Sequence, residues 1–176
     1  MHTKKLFQLV LALIIAFSAT GGAWLGASAA SGSSSKVITK KISFEEEADI
    51  FQGNSGVYFP SSAFTAEVEL IRSDPNSRLG RKDLDFVQRW TEVRLYDSKG
   101  AEFKQVYGLI YVYYNLTKQQ RRAWEDGDLG IYYYNPNERD WERCEIERLI
   151  STKNRPNGRL ACVISDFGLY GMAYKD

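Results

Sequence analysis

Four tyrosines, two cysteines and two knots of carboxylates are the residues whose type and spacing could do chemistry here. Tyr111 and Tyr113 lie two apart in one β-rich stretch, and Tyr132 and Tyr134 lie two apart in another. Period-two spacing puts each pair on one face of its strand. With the two strands as neighbours, the four rings form an outward row of flat apolar faces with polar tips, able to stack on sugar rings or meet a protein partner. The competing reading packs them inside the fold, as strands favour aromatics. The alternate set Ile110, Val112 and Tyr114 is more aliphatic and is the expected core face.

Glu125, Asp126 and Asp128 surround Gly127. Paired carboxylates do acid–base work when buried and coupled, and a glycan-acting pair would face across a cleft at about 5–10 Å. The plainer expectation is a helix end and a hairpin entry. Glu45, Glu46, Glu47 and Asp49 form a second acidic knot. It lacks the EF-hand spacing of a calcium loop and reads as a solvated turn. Cys144 and Cys162 are the only cysteines, an even pair that reads as a disulfide in an oxidising compartment and as two buried thiols elsewhere. Trp141 is expected in the core, with Trp90 and Trp124 half exposed beside charged residues. Asn115-Leu116-Thr117 matches the glycosylation sequon.

The single histidine is His2. A chain processed beyond it has none. That excludes Ser-His-Asp and Cys-His catalysis, and two cysteines alone cannot close the usual zinc site. No catalytic residue, metal or cofactor is therefore expected, and the chain reads as a non-enzyme.

His2 belongs to an N-terminus unlike the rest. A basic start with Lys4 and Lys5 precedes an uncharged apolar run over 6–25, which ends in Gly26-Ala27-Ser28-Ala29-Ala30. This is the order of a secretory signal, with cleavage after Ala29 or Ala30. Left uncut, the same run is long enough to anchor the chain in a bilayer. Residues 31–36 read as a serine-rich tether and 37–176 as one domain. Export places the domain outside the cytoplasm, secreted or in the cell envelope. Removing Lys4 and Lys5 from the 23 Lys+Arg leaves 21 against 22 Asp+Glu, a net charge of about −1. Such a balance argues against nucleic acid and against docking on anionic lipid, leaving contact with membrane only through an uncleaved N-terminal segment.

Strands are expected over 37–44, 57–59, 67–71, 93–96, 107–114, 129–134, 141–150, 160–165 and 169–174. Turn signals separate them at Gly53–Gly56, Asp74-Pro75, Asp97–Gly100, Asn135-Pro136-Asn137 and Arg155-Pro156-Asn157-Gly158. Thr117 with Gln120 three residues on is a capping box that opens a short helix to about Glu125. Eight or nine short strands and one short helix near 117–125 argue for an all-β, two-sheet sandwich.

Several of these stretches are arranged as in a known family. Gly56-Val57-Tyr58-Phe59-Pro60 with Ala63-Phe64, residues 109–115, Leu129-Gly130-Ile131-Tyr132-Tyr133-Tyr134, Trp141 and Asp166-Phe167-Gly168-Leu169-Tyr170-Gly171 follow in order. Over roughly 53–174 the chain resembles the module shared by zonula-occludens proteins, netrin receptors and ankyrins, with its bacterial relatives. The resemblance implies a β-sandwich that serves as an interaction module. Some relatives cleave themselves at a His-Phe-Ser sequence. Here Asp166-Phe167-Gly168 stands in its place, without the histidine or the hydroxyl, so no self-cleavage is expected. The sequence thus points to an exported protein-interaction or structural module whose partner is an envelope protein or a polysaccharide. Sugar binding through the tyrosines and a carboxylate-based glycan-acting enzyme are the alternatives.

Overall fold

Alternation of apolar with polar residues marks some of the strands, as over 66–71, while others carry apolar or aromatic residues on both faces, as over 111–115. In a computed structural model, which describes residues 35–76, 78–105, 108–152 and 155–176, the chain from Ser33 to Asp176 makes one unit. The N-terminal run over 1–30 lies outside the described residues. Twelve strands are described: β1 (Lys36–Ile42), β2 (Ala48–Gln52), β3 (Ser55–Phe59), β4 (Ala66–Ser73), β5 (Leu84–Phe86), β6 (Trp90–Tyr96), β7 (Tyr111–Asn115), β8 (Leu129–Asn135), β9 (Asp140–Arg143), β10 (Glu147–Thr152), β11 (Arg155–Val163) and β12 (Leu169–Lys175). One helix, α1 (Lys118–Glu125), sits between β7 and β8.

The strands form two antiparallel sheets. One has the order β1-β4-β6-β12-β8-β9, with β5 also paired to β12; the other has the order β10-β11-β7-β3-β2. The expected two-sheet sandwich is what forms. Between the sheets, Val57, Phe59, Val112, Tyr114 and Leu160 of the five-stranded sheet meet Val68, Leu70, Val93, Leu95, Ile131 and Met172 of the seven-stranded one. All are essentially without solvent. Each large side chain buried in this layer stabilises by about 1.5–3 kcal/mol relative to exposure.

Two elements escape the sequence pattern. The acidic knot is only half a turn: Glu46 closes it by accepting from the Ser43 amide at 2.8 Å, while Asp49 already belongs to β2. Arg155-Pro156-Asn157-Gly158 is not a turn but the start of β11. The register shifts opposite it, between Ile150 and Thr152. Such an irregularity accommodates both the missing amide hydrogen of Pro156 and the φ of +82° at Gly158.

The expected single stretch over 141–150 also divides. β9 ends at Arg143, and the chain crosses to the other sheet to begin β10. Cys144 sits on that crossing and is bonded to Cys162 of β11, with Cα atoms 5.9 Å apart. The disulfide therefore ties the connection leaving one sheet to the C-terminal end of β11 in the other. Glu147 secures the same crossing. Its carboxylate accepts from the Ile131 amide at 2.5 Å, the Trp124 indole at 2.9 Å and the Arg143 guanidinium at 3.1 Å. The helix is anchored by that indole and opened by the expected capping box, with Thr117 Oγ1 accepting from the Gln120 amide at 3.2 Å.

Closing a loop of this length stabilises by about 3 kcal/mol in the chain-entropy account. Replacing both Cys144 and Cys162 with alanine should lower the thermal midpoint by roughly 10 °C. A denaturation curve unchanged from wild type would show that the bridge contributes nothing to stability.

Candidate functional site

Tyr111 and Tyr113 lie on β7, and Tyr132 and Tyr134 lie on β8. The strands are not neighbours. β7 pairs with β3 and β11, and β8 with β12 and β9. The two pairs therefore occupy the outer faces of different sheets and form no common row. Tyr111, Tyr113 and Tyr132 are 8%, 1% and 3% exposed, so most of the flat area that sugar stacking needs is covered.

The cover differs on the two faces. On the five-stranded sheet the Tyr113 ring lies across β3 at Gly56, where a Cβ would come within 2.6 Å of its hydroxyl. Its phenol donates to Asp49 at 2.6 Å. The Arg159 guanidinium stacks above the ring, 4.2 Å from its centre, and also donates to Asp49 at 2.9 Å. On the seven-stranded sheet, Tyr132 and Tyr134 join Trp90, Trp141 and Phe86 in an aromatic cluster. The segment leading to β5 closes over it. Trp141 Nε1 donates to the Leu79 carbonyl at 2.5 Å, and Arg81 donates to the Trp141 carbonyl at 2.9 Å. Trp90, expected half exposed, is 1% exposed for this reason.

The carboxylates near Gly127 do not face each other across a cleft. Glu125 pairs with Arg121 at 2.9 Å along the helix, and Asp126 is the C-cap. Among the described residues no group of histidine, cysteine, aspartate or glutamate is arranged to hold a metal ion. No described helix is long and apolar enough to cross a membrane.

The feature that sequence reading missed is a groove of about 530 Å³ on the solvent face of the seven-stranded sheet. β1, β4 and β6 build it. On β4 the inward residues are Ala66, Val68 and Leu70, so Glu67 and Glu69 point outward. Glu67 stands between Lys41 and Tyr96, and Glu69 between Thr39 and Arg94. The turn after β6 makes the end wall. There Asp97 accepts from the Lys99 and Ala101 amides at 2.8 Å each, and these bonds hold its carboxyl below the usual carboxylate range. Desolvation raises the Tyr96 phenol above its ordinary value, keeping the ring neutral at the groove wall. Arg94 is engaged by Glu92 at 2.6 Å. Among the described residues neither Glu67 nor Glu69 is held in an ion pair. The result is a concave surface with two uncommitted carboxylates and one half-buried aromatic ring.

A second polar arrangement crosses the core. Thr91 of β6 donates to Ser55 of β3 at 2.8 Å, and neither residue is exposed. Tyr114 lies against Thr91 and donates to the Tyr170 carbonyl at 2.9 Å, while the Tyr170 phenol donates to the Asp166 carbonyl at 2.6 Å. These hydroxyls join the two sheets through the apolar layer. Desolvation drives both phenols well above the ordinary tyrosine value.

No protein-family model, curated protein or solved structure matches the chain.

The buried phenols set an alkaline limit on the fold. Tyr114 and Tyr170 hold their protons more tightly folded than unfolded, so they favour the native state below about pH 10. That contribution is lost as the pH rises above the unfolded value. Tyrosinate absorbance should therefore rise in two stages, with the last tyrosines ionising together with loss of the β-sheet dichroism signal. Ionisation of all 11 tyrosines around pH 10 with the fold intact would contradict this.

Proposed function

We propose that the protein is an exported, non-enzymatic interaction module of the cell envelope or extracellular space, and that it receives a basic segment of a partner protein in the groove over β1, β4 and β6. The groove itself is the observation that carries this reading. Two outward carboxylates two residues apart on one strand, with no cation committed to them, favour a lysine or arginine of a partner. The Tyr96 ring beside them offers a face to the same cation. Placement outside the cytoplasm rests on the signal-like N-terminus and agrees with the Cys144–Cys162 disulfide. The resemblance to the module of zonula-occludens proteins, netrin receptors and ankyrins supports a role in protein association.

The test is charge reversal. Chemical crosslinking of the whole chain in its own cells should trap a defined partner with the wild type. Glu67→Lys/Glu69→Lys should lose that partner while keeping the wild-type unfolding curve, since both residues face solvent. Lys41→Glu, which adds to the acidic field, should not lose it. A crosslinked product that survives the double reversal, or a wild-type chain that is always monomeric, would sink the proposal.

A further inference from the structure

The floor of the groove belongs to a row that continues along β4. Glu67, Glu69 and Ile71 are successive outward positions of that strand, alternating with the inward Ala66, Val68 and Leu70. In register, Glu67 stands between Lys41 and Tyr96, Glu69 between Thr39 and Arg94, and Ile71 between Val37 and Glu92. Arg94 and Glu92 are joined to each other, through Nη2 at 2.6 Å and Nε at 2.7 Å. On the other side β1 is the last strand of its sheet, and Val37 is 52% exposed. Three surface positions thus follow one another: a carboxylate, a second carboxylate, and the apolar pair Val37–Ile71.

Both ends of the row are bounded. The turn over Asp97, Ser98 and Gly100 walls the Glu67 end. Towards the other end, Trp90, the outward residue of β6 beyond Glu92, lies under Phe86 with ring centres 5.3 Å apart. From Glu67 to Ile71 is about 13 Å, the length of roughly five extended residues.

An extended chain carries its alternate side chains at the same repeat of about 6.6 Å, so successive contacts stay in phase with the row beneath. A helix fits less well. With side chains it is about 10–12 Å across. β1 and β6 lie two strand spacings apart, roughly 9.6 Å, and Lys41 and Tyr96 flank Glu67 from either side. Glu67, Glu69 and Asp97 line the groove against Lys41. That balance favours cations over the two glutamates. The third position favours an apolar side chain, which removes part of Val37 and Ile71 from water.

We propose that this row receives an extended segment of a partner protein with the pattern basic-x-basic-x-apolar, read in either chain direction. Its alternate side chains rest on Glu67, on Glu69 and on the Val37–Ile71 pair. The inference rests on the groove being the binding surface. It adds the conformation of the segment, the spacing of its charges and a third contact outside the groove.

Short capped peptides are the probes, titrated against the whole chain and followed by NMR of its backbone amides. The parent carries Lys-Thr-Lys-Thr-Leu in a serine and threonine background. Three variants of the parent place the lysines side by side, place them four apart, or put serine in place of the leucine. Each is made in both chain directions, and the tighter of the two is compared. Putrescine serves as a bare dication. The parent should bind saturably and shift the amides of Glu67, Glu69 and Ile71. Each variant and putrescine should bind at least about threefold more weakly, the order of one lost surface pairing. Ile71→Ser should erase the advantage of the leucine while keeping the preference for lysines two apart. Should that variant fail to fold, the peptide series on the wild type decides alone. Equal binding of all lysine spacings, or of putrescine, would overturn the proposal and leave the groove standing as a general cation surface. Equal binding of the serine peptide would remove the third contact and overturn it too. If no peptide binds, or if Glu67→Lys/Glu69→Lys binds the parent as the wild type does, the groove itself falls and the proposal with it.

Discussion

Strands with large side chains on both faces constrain everything else in this fold. β7 places Val112 and Tyr114 between the sheets and Tyr111 and Tyr113 outside. β8 places Leu129 and Ile131 inside and Tyr132 and Tyr134 outside. A two-layer sandwich covers only one face of each sheet, so the outer aromatics need cover of their own. The seven-stranded sheet obtains it from the segment around Leu79, Leu84 and Phe86, locked down by Arg81 and the Trp141 indole. The five-stranded sheet obtains it from side chains lying flat, with Tyr113 over Gly56 and Arg159 over Tyr113. The same device recurs at Gly171, where a Cβ would fall 2.5 Å from the Phe86 ring. These central glycines are needed for close approach of a covering group, which local sequence does not reveal.

Why part of the fold was legible follows from the same constraint. β4 alternates cleanly, and the capping box at Thr117 is a local signal with a local cause. β2 was hidden because Glu45, Glu46, Glu47 and Asp49 dominate its approach and only Ala48 and Ile50 face inward. β5 has three residues and exists because β12 offers it an edge. The 155–158 stretch carries the residues of a turn but serves as an irregular strand, because its partner is shifted in register. In each case pairing across distant sequence decides the outcome, and pairing is what one sequence does not record. The tyrosine pairs form no common row for the same reason. Parity fixes which residues share a face of one strand, but not which strand lies beside it or what lies above it.

The candidate surface was illegible for a simpler reason. The groove is assembled from Lys41, Glu67, Glu69 and Tyr96, which span three strands with no motif among them. Glu67 and Glu69 read alone as the solvent half of an amphipathic strand, which they also are. The inward placement of Arg72, by contrast, was within reach. Extending the inward parity of Ala66, Val68 and Leu70 by one step predicts a cation pointing into the interlayer, although the usual habit is to treat an arginine near a strand end as surface.

Arg72 overlies the β2–β3 turn, where a Cβ at Gly53 would collide with its guanidinium, and that end of the sandwich is polar. The two sheets are joined beneath it by Ser55, Thr91 and Tyr114, whose hydroxyls satisfy one another and the Tyr170 carbonyl. A purely apolar layer would stabilise as well or better, since exchanging a satisfied polar network for packed hydrocarbon is often neutral or favourable. Stability alone therefore does not account for an arginine set at the edge of this network beside a second, Arg89. The groove at the other end of β4 has the opposite imbalance, with Glu67, Glu69 and Asp97 against Lys41. One strand thus presents excess negative charge outward at its start and excess positive charge inward at its end. The two imbalances do not offset each other, because they lie on opposite faces of the same sheet.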